Sequence, residues 1–275
     1  MEVTFAPALG MLACSLRRDG RELLGQRKGL EGYERSGSTM GVPLLHPWAN
    51  RLGGFAYSFA GRDVELDPDS PDVKLEEHGL PIHGLLGALR HWKVVADGDQ
   101  RLVGGARLDG LEGFPFPHRI EVEAALEERT LRITTTLTAT GDGPLPVCFG
   151  YHPYLAPPGP QRAEWDIDAP VREHLVLDQS KVPTGEREPA EPIRGALGER
   201  TFDDAYTVDP AGATFRAQDV VVAFEQGYPY AQIFAPPDDD VICFEPMTAP
   251  ADALRHDPPA VAPGESYVAR FSISV

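Results

Sequence analysis

Acid–base chemistry is first suggested by Phe149-Gly150-Tyr151-His152-Pro153-Tyr154, where one histidine stands among aromatic rings and a proline at the end of an apolar run. Aromatic faces such as that of Tyr154 stack on the C–H surfaces of sugar rings, and an imidazole titrates near neutrality, so it can exchange a proton with a ring oxygen. The complementary group is a carboxylate. Val241-Ile242-Cys243-Phe244-Glu245-Pro246 supplies one at the end of an apolar strand. Buried there, Glu245 either meets a cation or has its pKa raised to suit a general base.

Three further segments interrupt the apolar pattern with polar groups. In Leu44-Leu45-His46-Pro47-Trp48-Ala49-Asn50-Arg51-Leu52, Arg51 offers a fork of donors to hydroxyl groups. Pro81-Ile82-His83-Gly84 holds His83 beside a glycine that lets the chain pass close to a ligand. Thr201-Phe202-Asp203-Asp204-Ala205-Tyr206 sets paired acids next to rings. Each has an ordinary use as well: Arg51 in a surface ion pair, His83 bonded to backbone, Asp203 capping a turn, Glu245 solvated at a strand end. Cys148 and Cys243 are an even number of residues from His152 and Glu245, so in extended chain they share a face with them, as pocket floor or as core filling.

The elements that must position these groups are strands. Ile120, Val122, Ala124 and Leu126 alternate along one segment, and Leu131, Ile133, Thr135 and Leu137 along the next, with Glu127-Glu128-Arg129 turning between them. Tyr267 to Val275 alternates in the same way after Pro263-Gly264, and Asp19-Gly20 marks a hairpin near the start. The 28 glycines and 27 prolines are spread along the chain, as expected for many strands and loops and not for one linker. The pattern predicts an all-β sandwich or barrel in one domain, residues 1–275. It also predicts surface loops at 66–81, 156–170 and 183–194, and a short helix around Ala249 to Arg255.

A formal net charge of -17 argues against nucleic acid and anionic membrane surfaces as partners. No apolar run approaches a membrane span, and MEVTFAPALG lacks the basic end and apolar core of a signal peptide, so a cytoplasmic protein is expected. Cys14, Cys148 and Cys243 are odd in number and far apart, which fits neither a disulfide framework nor a zinc site. Edge strands leave the oligomeric state open.

Taken in order, the segments resemble the aldose 1-epimerase family, the mutarotases of the galactose-mutarotase-like fold. The resemblance rests on Asn50-Arg51 before Gly53-Gly54-Phe55, on His83-Gly84, and on Gly150-Tyr151-His152-Pro153-Tyr154. Phe202-Asp203, Phe244-Glu245-Pro246 and the closing Pro263-Gly264-Glu265-Ser266-Tyr267 complete it. It implies a large antiparallel β-supersandwich and interconversion of the α and β anomers of a free aldohexose without a cofactor. By the same resemblance Glu245 is the base for the C1 hydroxyl and His152 the acid for the ring oxygen. Arg51 and His83 fall where the family binds substrate, Asp203 where it holds sugar hydroxyls, and Asn50, Trp48 and His46 beside them at the pocket wall. Asp204 leaves the register at Asp203 open by one residue.

Three alternatives compete. A hexose-6-phosphate 1-epimerase would need a basic pocket, for which Arg90, Arg119 and Arg162 are candidates. A non-catalytic carbohydrate-binding β-sandwich would need no acid–base pair. A metal enzyme would use His83, His152 and Glu245, although the sequence has no closely spaced ligand pair; no metal is expected.

Overall fold

A computed structural model describes residues 1–275. Two large antiparallel sheets dominate it. One has nine strands in the order Ile193–Ala196, Asp166–Ala169, Ala213–Ala217, Val220–Gln226, Ser266–Ser274, Thr130–Ala139, His118–Glu127, Arg101–Leu108 and Lys93–Gly98. The other has seven, in the order Pro183–Pro189, Glu173–Leu177, Phe202–Thr207, Tyr230–Ala235, Cys243–Met247, Gly150–Tyr151 and Leu44–Leu45.

The alternation read from the sequence sets the register. Ile120 pairs with Leu137, Ala124 with Ile133, and Ile133 in turn with Phe271. One face of each of these strands is thereby buried, and the other carries Thr and charged residues. The sheets meet through their rings: Phe215 stacks on Phe244 at 5.1 Å between centroids, and Tyr151 lies 4.9 Å from Phe271. Phe215, Phe244 and Phe271 are wholly buried, each contributing roughly 1.5–3 kcal/mol by removal from water. The apolar cluster they belong to draws on residues from Met11 to Ile273.

The sheet contact also aims the functional residues. Because Phe244 and Tyr151 point between the sheets, alternation sends their neighbours Glu245 and His152 to the far face of the seven-stranded sheet. The segments over that face come from residues 37–52, 73–85 and 152–154.

Several expectations change. The helix expected around Ala249 to Arg255 shrinks to a 3-10 turn, Ala253–Arg255, entered through Asp252 at φ 66°. The one α-helix, Gly29–Ser36, was not foreseen, because its two glycines lower its propensity; it ends on Gly37 at φ 63°, whose N–H donates to the Tyr33 carbonyl. The loops expected at 66–81, 156–170 and 183–194 carry strands at Val73–Leu75, Asp166–Ala169, Pro183–Pro189 and Ile193–Ala196. Pro183–Pro189 and Ile193–Ala196 are the outermost strands of the two large sheets, where proline and charge are tolerated. No helix is long and apolar enough to cross a membrane.

Candidate active site

His152 Nε2 lies 3.2 Å from Glu245 Oε1, with side-chain exposures of 6% and 1%. The imidazole stacks face to face on the Tyr154 ring at 4.2 Å, meets Phe234 edge-on, and receives the His83 ring at 5.5 Å. The Tyr154 hydroxyl is 3.1 Å from His152 Nε2, 2.6 Å from Thr39 Oγ1, and accepts from Arg27 Nη1 at 3.0 Å. Tyr154 therefore fixes the plane of the imidazole, its hydroxyl lying close to Nε2. Three buried polar atoms here have no partner: His152 Nδ1, His83 Nδ1 and Glu245 Oε2. Buried polar groups are ordinarily satisfied, so three without a protein partner in one place mark a candidate binding site.

Arg51 faces the pair from the neighbouring loop. Its Nε donates to Glu76 Oε2 at 3.2 Å, its Nη2 to Asp203 Oδ2 at 3.2 Å and its Nη1 to Asn50 Oδ1 at 3.3 Å. A guanidinium has five N–H donors, so two remain for a ligand. Asn50 also accepts the Arg51 backbone N–H through Oδ1, at 2.8 Å. It stands at φ 58° and His83 at φ 65°, a left-handed conformation that asparagine tolerates and that becomes informative in histidine. The two are joined, since the His83 N–H donates to the Asn50 carbonyl at 2.9 Å. Gly84 follows at φ 79°, and a Cβ there would stand 2.1 Å from the His46 carbonyl oxygen. Only glycine fits that crossing.

Asp203 comes from the third strand of the seven-stranded sheet. Its Oδ1 accepts from Gln232 Nε2 at 2.8 Å, and Gln232 sits directly opposite Glu245 in the ladder. Asp204 turns elsewhere: its Oδ1 is 3.3 Å from His174 Nε2 and its Oδ2 accepts the Asp203 N–H. The structure thus brings together Glu245, His152, Arg51, His83, Asp203, Asn50 and Tyr154. Trp48 and His46 are corrections to the pocket-wall expectation. Trp48 lies in the main apolar core, and His46 is fully buried with its Nε2 2.8 Å from His118 Nε2.

Sequence reasoning missed Glu76, Gln232, Thr39 and Arg27. Gln232 had a signal, being the one amide within the apolar Tyr230–Ala235 strand, opposite Glu245. Glu76 sits in a charged loop and had none. The arginines considered for a phosphate pocket do not meet. Arg162 donates to the carbonyls of Gly198, Arg200 and Ala235, Arg119 pairs with Glu121, and Arg90 lies 3.9 Å from Asp72. The ligating atoms that converge within 4.8 Å belong to Glu76, Glu77 and His78, not to His83, His152 and Glu245. Cys148 fills the main core, while Cys243 packs with Tyr154 and Val241 beside the site; all three thiols are free and buried.

Burial dominates the electrostatics. It raises the Glu245 carboxyl well above its ordinary range, with the Asp203 charge adding to the rise and Arg51 opposing it. It lowers His152 well below the ordinary imidazole value, helped by Arg27 and Lys74. His83 is lowered too, by burial and then by Lys74, His152 and Arg51.

The aldose 1-epimerase family model matches residues 10–274. The chain belongs to the aldose 1-epimerase family. YphB of Escherichia coli is 27% identical over 270 residues, covering 85% of this chain and 82% of that protein. The aldose 1-epimerase of Escherichia coli is 29% identical over 156 residues, 56% of this chain and 43% of the relative. The crystal structure of a galactose mutarotase-like protein from Clostridium acetobutylicum superposes with a TM-score of 0.83 at 16% identity, covering 98% of this chain and 91% of that one. The family's galactose-mutarotase-like fold is therefore the fold of this chain, and a sugar epimerase is its class of activity.

Proposed function

We propose that the protein is an aldose 1-epimerase in the strict sense, interconverting the anomers of a free aldohexose through Glu245 and His152. The observation that carries this reading is the buried contact of 3.2 Å between His152 Nε2 and Glu245 Oε1, ringed by orphaned polar atoms. The anomeric end of the sugar enters between the two groups. Glu245 takes the proton of the C1 hydroxyl, the C1–O1 bond becomes a carbonyl, the bond from C1 to the ring oxygen breaks, and His152 protonates that oxygen. Rotation about C1–C2 presents the other carbonyl face. Return of the ring oxygen to C1 with both proton transfers reversed closes the opposite anomer. Every proton in the cycle passes through a group of this chain.

The pKa directions bear on how this works. The division of labour suggests two pKa values pushed apart, yet burial moves Glu245 up and His152 down, towards each other. Burial thus favours the neutral carboxyl–imidazole form of the free pair, which titrates as a unit. Ring opening through the carboxylate and the imidazolium therefore requires the bound sugar to stabilise the charged forms, its C1 hydroxyl donating to Glu245 and its ring oxygen accepting from His152. Arg51, with two free N–H groups, His83 through Nδ1, and Asp203 supply hydrogen bonds to the ring oxygen and hydroxyls.

Polarimetry of freshly dissolved α-D-glucose and α-D-galactose tests the reading. The wild type accelerates the approach to the equilibrium rotation, and Glu245→Gln and His152→Ala each lower kcat by about 10²–10⁴. Sugar binding without any acceleration would reject catalysis and leave a carbohydrate-binding protein.

A further inference from the structure

The chain that leaves the strand of Glu245 returns to the Arg51 loop and closes on it. Beyond Cys243–Met247 it runs through Pro250 to Asp252, seven residues after Glu245. It is pinned on the way, because both the N–H and the hydroxyl of Thr248 donate to the Phe149 carbonyl, at 3.0 and 2.8 Å. Asp252 then stands at φ 66°, a left-handed conformation that few residues other than glycine adopt and that aspartate tolerates. Its backbone and its side chain thereby reach the same loop. The Asp252 N–H donates to the Arg51 carbonyl at 2.9 Å, and its Oδ1 accepts the Gly53 N–H at 2.7 Å. Oδ2 lies 3.3 Å from Arg255 Nη1 and 3.1 Å from His256 Nε2, and Arg255 Nε donates to the Ala56 carbonyl at 3.2 Å. The Asp252 side chain is 3% exposed.

This clamp accounts for the Gly53-Gly54 pair, which the acid–base steps leave unused. A Cβ on Gly53 would stand 2.6 Å from Arg255 Nη1 and 2.9 Å from Asp252 Oδ2. Glycine lets the carboxylate close on the loop. On its other side the loop is tied to the hairpin of Val73–Leu75 and Pro81–Leu85, through the His83 N–H to the Asn50 carbonyl at 2.9 Å and the Leu52 N–H to the Pro81 carbonyl at 2.8 Å. Arg51 is thus anchored twice, once from the hairpin and once from the segment that carries Glu245. Glu76, Asp203 and Asn50 direct its guanidinium, but they act on a side chain whose root Asp252 holds. A misplacement of about 1 Å at a reacting centre can cost on the order of 10² in rate.

We propose that Asp252 is a positioning residue, which fixes Arg51 against the strand of Glu245 so that the guanidinium meets the sugar at a set distance from the base. This rests on the 1-epimerase reading and deepens it. Asp252 acts through Arg51 and not on the reacting atoms.

Polarimetry on D-glucose and D-galactose gives kcat/KM, at a temperature where circular dichroism shows each variant folded. Asp252→Gly accepts the left-handed backbone and removes the carboxylate; it lowers kcat/KM by about tenfold or more. Asp252→Asn keeps an oxygen for the Gly53 N–H and suits the same backbone, so it recovers most of that loss. In an Arg51→Lys background the further loss from Asp252→Gly shrinks to less than about twofold, because the group it positions is gone. NMR exchange of the Arg51 Nε proton, which donates to Glu76, reads the clamp without activity. That exchange accelerates in Asp252→Gly and, to a smaller extent, in Arg255→Met, which releases Oδ2 and the Ala56 carbonyl. Should Asp252→Gly fail to fold, Arg255→Met decides by the same exchange. Unchanged Arg51 exchange, wild-type kcat/KM in Asp252→Gly, or an equal loss with arginine and with lysine at position 51 overturns the positioning role. Absence of mutarotation by the wild type on either sugar would instead reject the 1-epimerase reading, and the exchange would still report on the clamp.

Discussion

At the scale of single residues, the site is a set of charges each held by a neighbour, and the Glu245–His152 pair is tuned by Asp203. A carboxyl whose pKa is raised keeps its proton to higher pH, and the Asp203 charge contributes to that rise. On the proposed mechanism activity needs one proton on the pair, so it falls on the alkaline side when that proton leaves and on the acid side when a second arrives. Asp203→Asn removes the raising charge and moves the alkaline limb of kcat/KM to lower pH, beyond any loss in rate. A limb that stays put or moves upward would mean Asp203 does not tune Glu245. Most of this residue set was legible in the sequence, because His152, Glu245, Asn50-Arg51, His83 and Phe202-Asp203 lie in short recognisable motifs. Glu76 was not, since its partner Arg51 is 25 residues away and only the folded hairpin brings them together. Trp48 misled for a related reason: an aromatic beside a motif reads equally as pocket wall or as core.

At the scale of elements, a rigid sheet and a bent loop divide the work. Glu245, Gln232 and Asp203 stand on adjacent strands whose registers are fixed by pairing, whereas His83 depends on the left-handed backbone around Gly84. Gly84→Ala would impose a strained φ and drive a Cβ into the His46 carbonyl, costing on the order of 3 kcal/mol. A drop in Tm of roughly 5 °C is expected in calorimetry, with kcat/KM falling as His83 is displaced. A Tm within a degree of wild type would mean the crossing at His46 yields freely. The long strands were legible because alternation over ten residues has no helical equivalent. The short edge strands were not, because proline and charge on an edge look the same as they do in a loop.

At the scale of the whole molecule, one apolar cluster gathers residues from both large sheets, and all three thiols are buried without a disulfide. Burial raises the thiols of Cys148 and Cys243 well above the ordinary range, which leaves almost no thiolate. An aromatic disulfide reagent is therefore expected to label fewer than one thiol per native chain within an hour and three after unfolding, with Tm unchanged by reductant. Rapid labelling of all three thiols in the native protein would contradict their burial. The overall sandwich was legible because the motifs follow one another in family order, each within a strand or at its end. The hairpin spanning Val73 to Leu85 carries Glu76 and His83, while Glu245 and His152 are fixed by the sheet beneath it. Part of the proposed sugar-facing surface is thus written in a different stretch of the gene from the candidate acid–base pair. Replacing residues 73–85 by those of a relative is therefore expected to change sugar preference while leaving Glu245 and His152 in place.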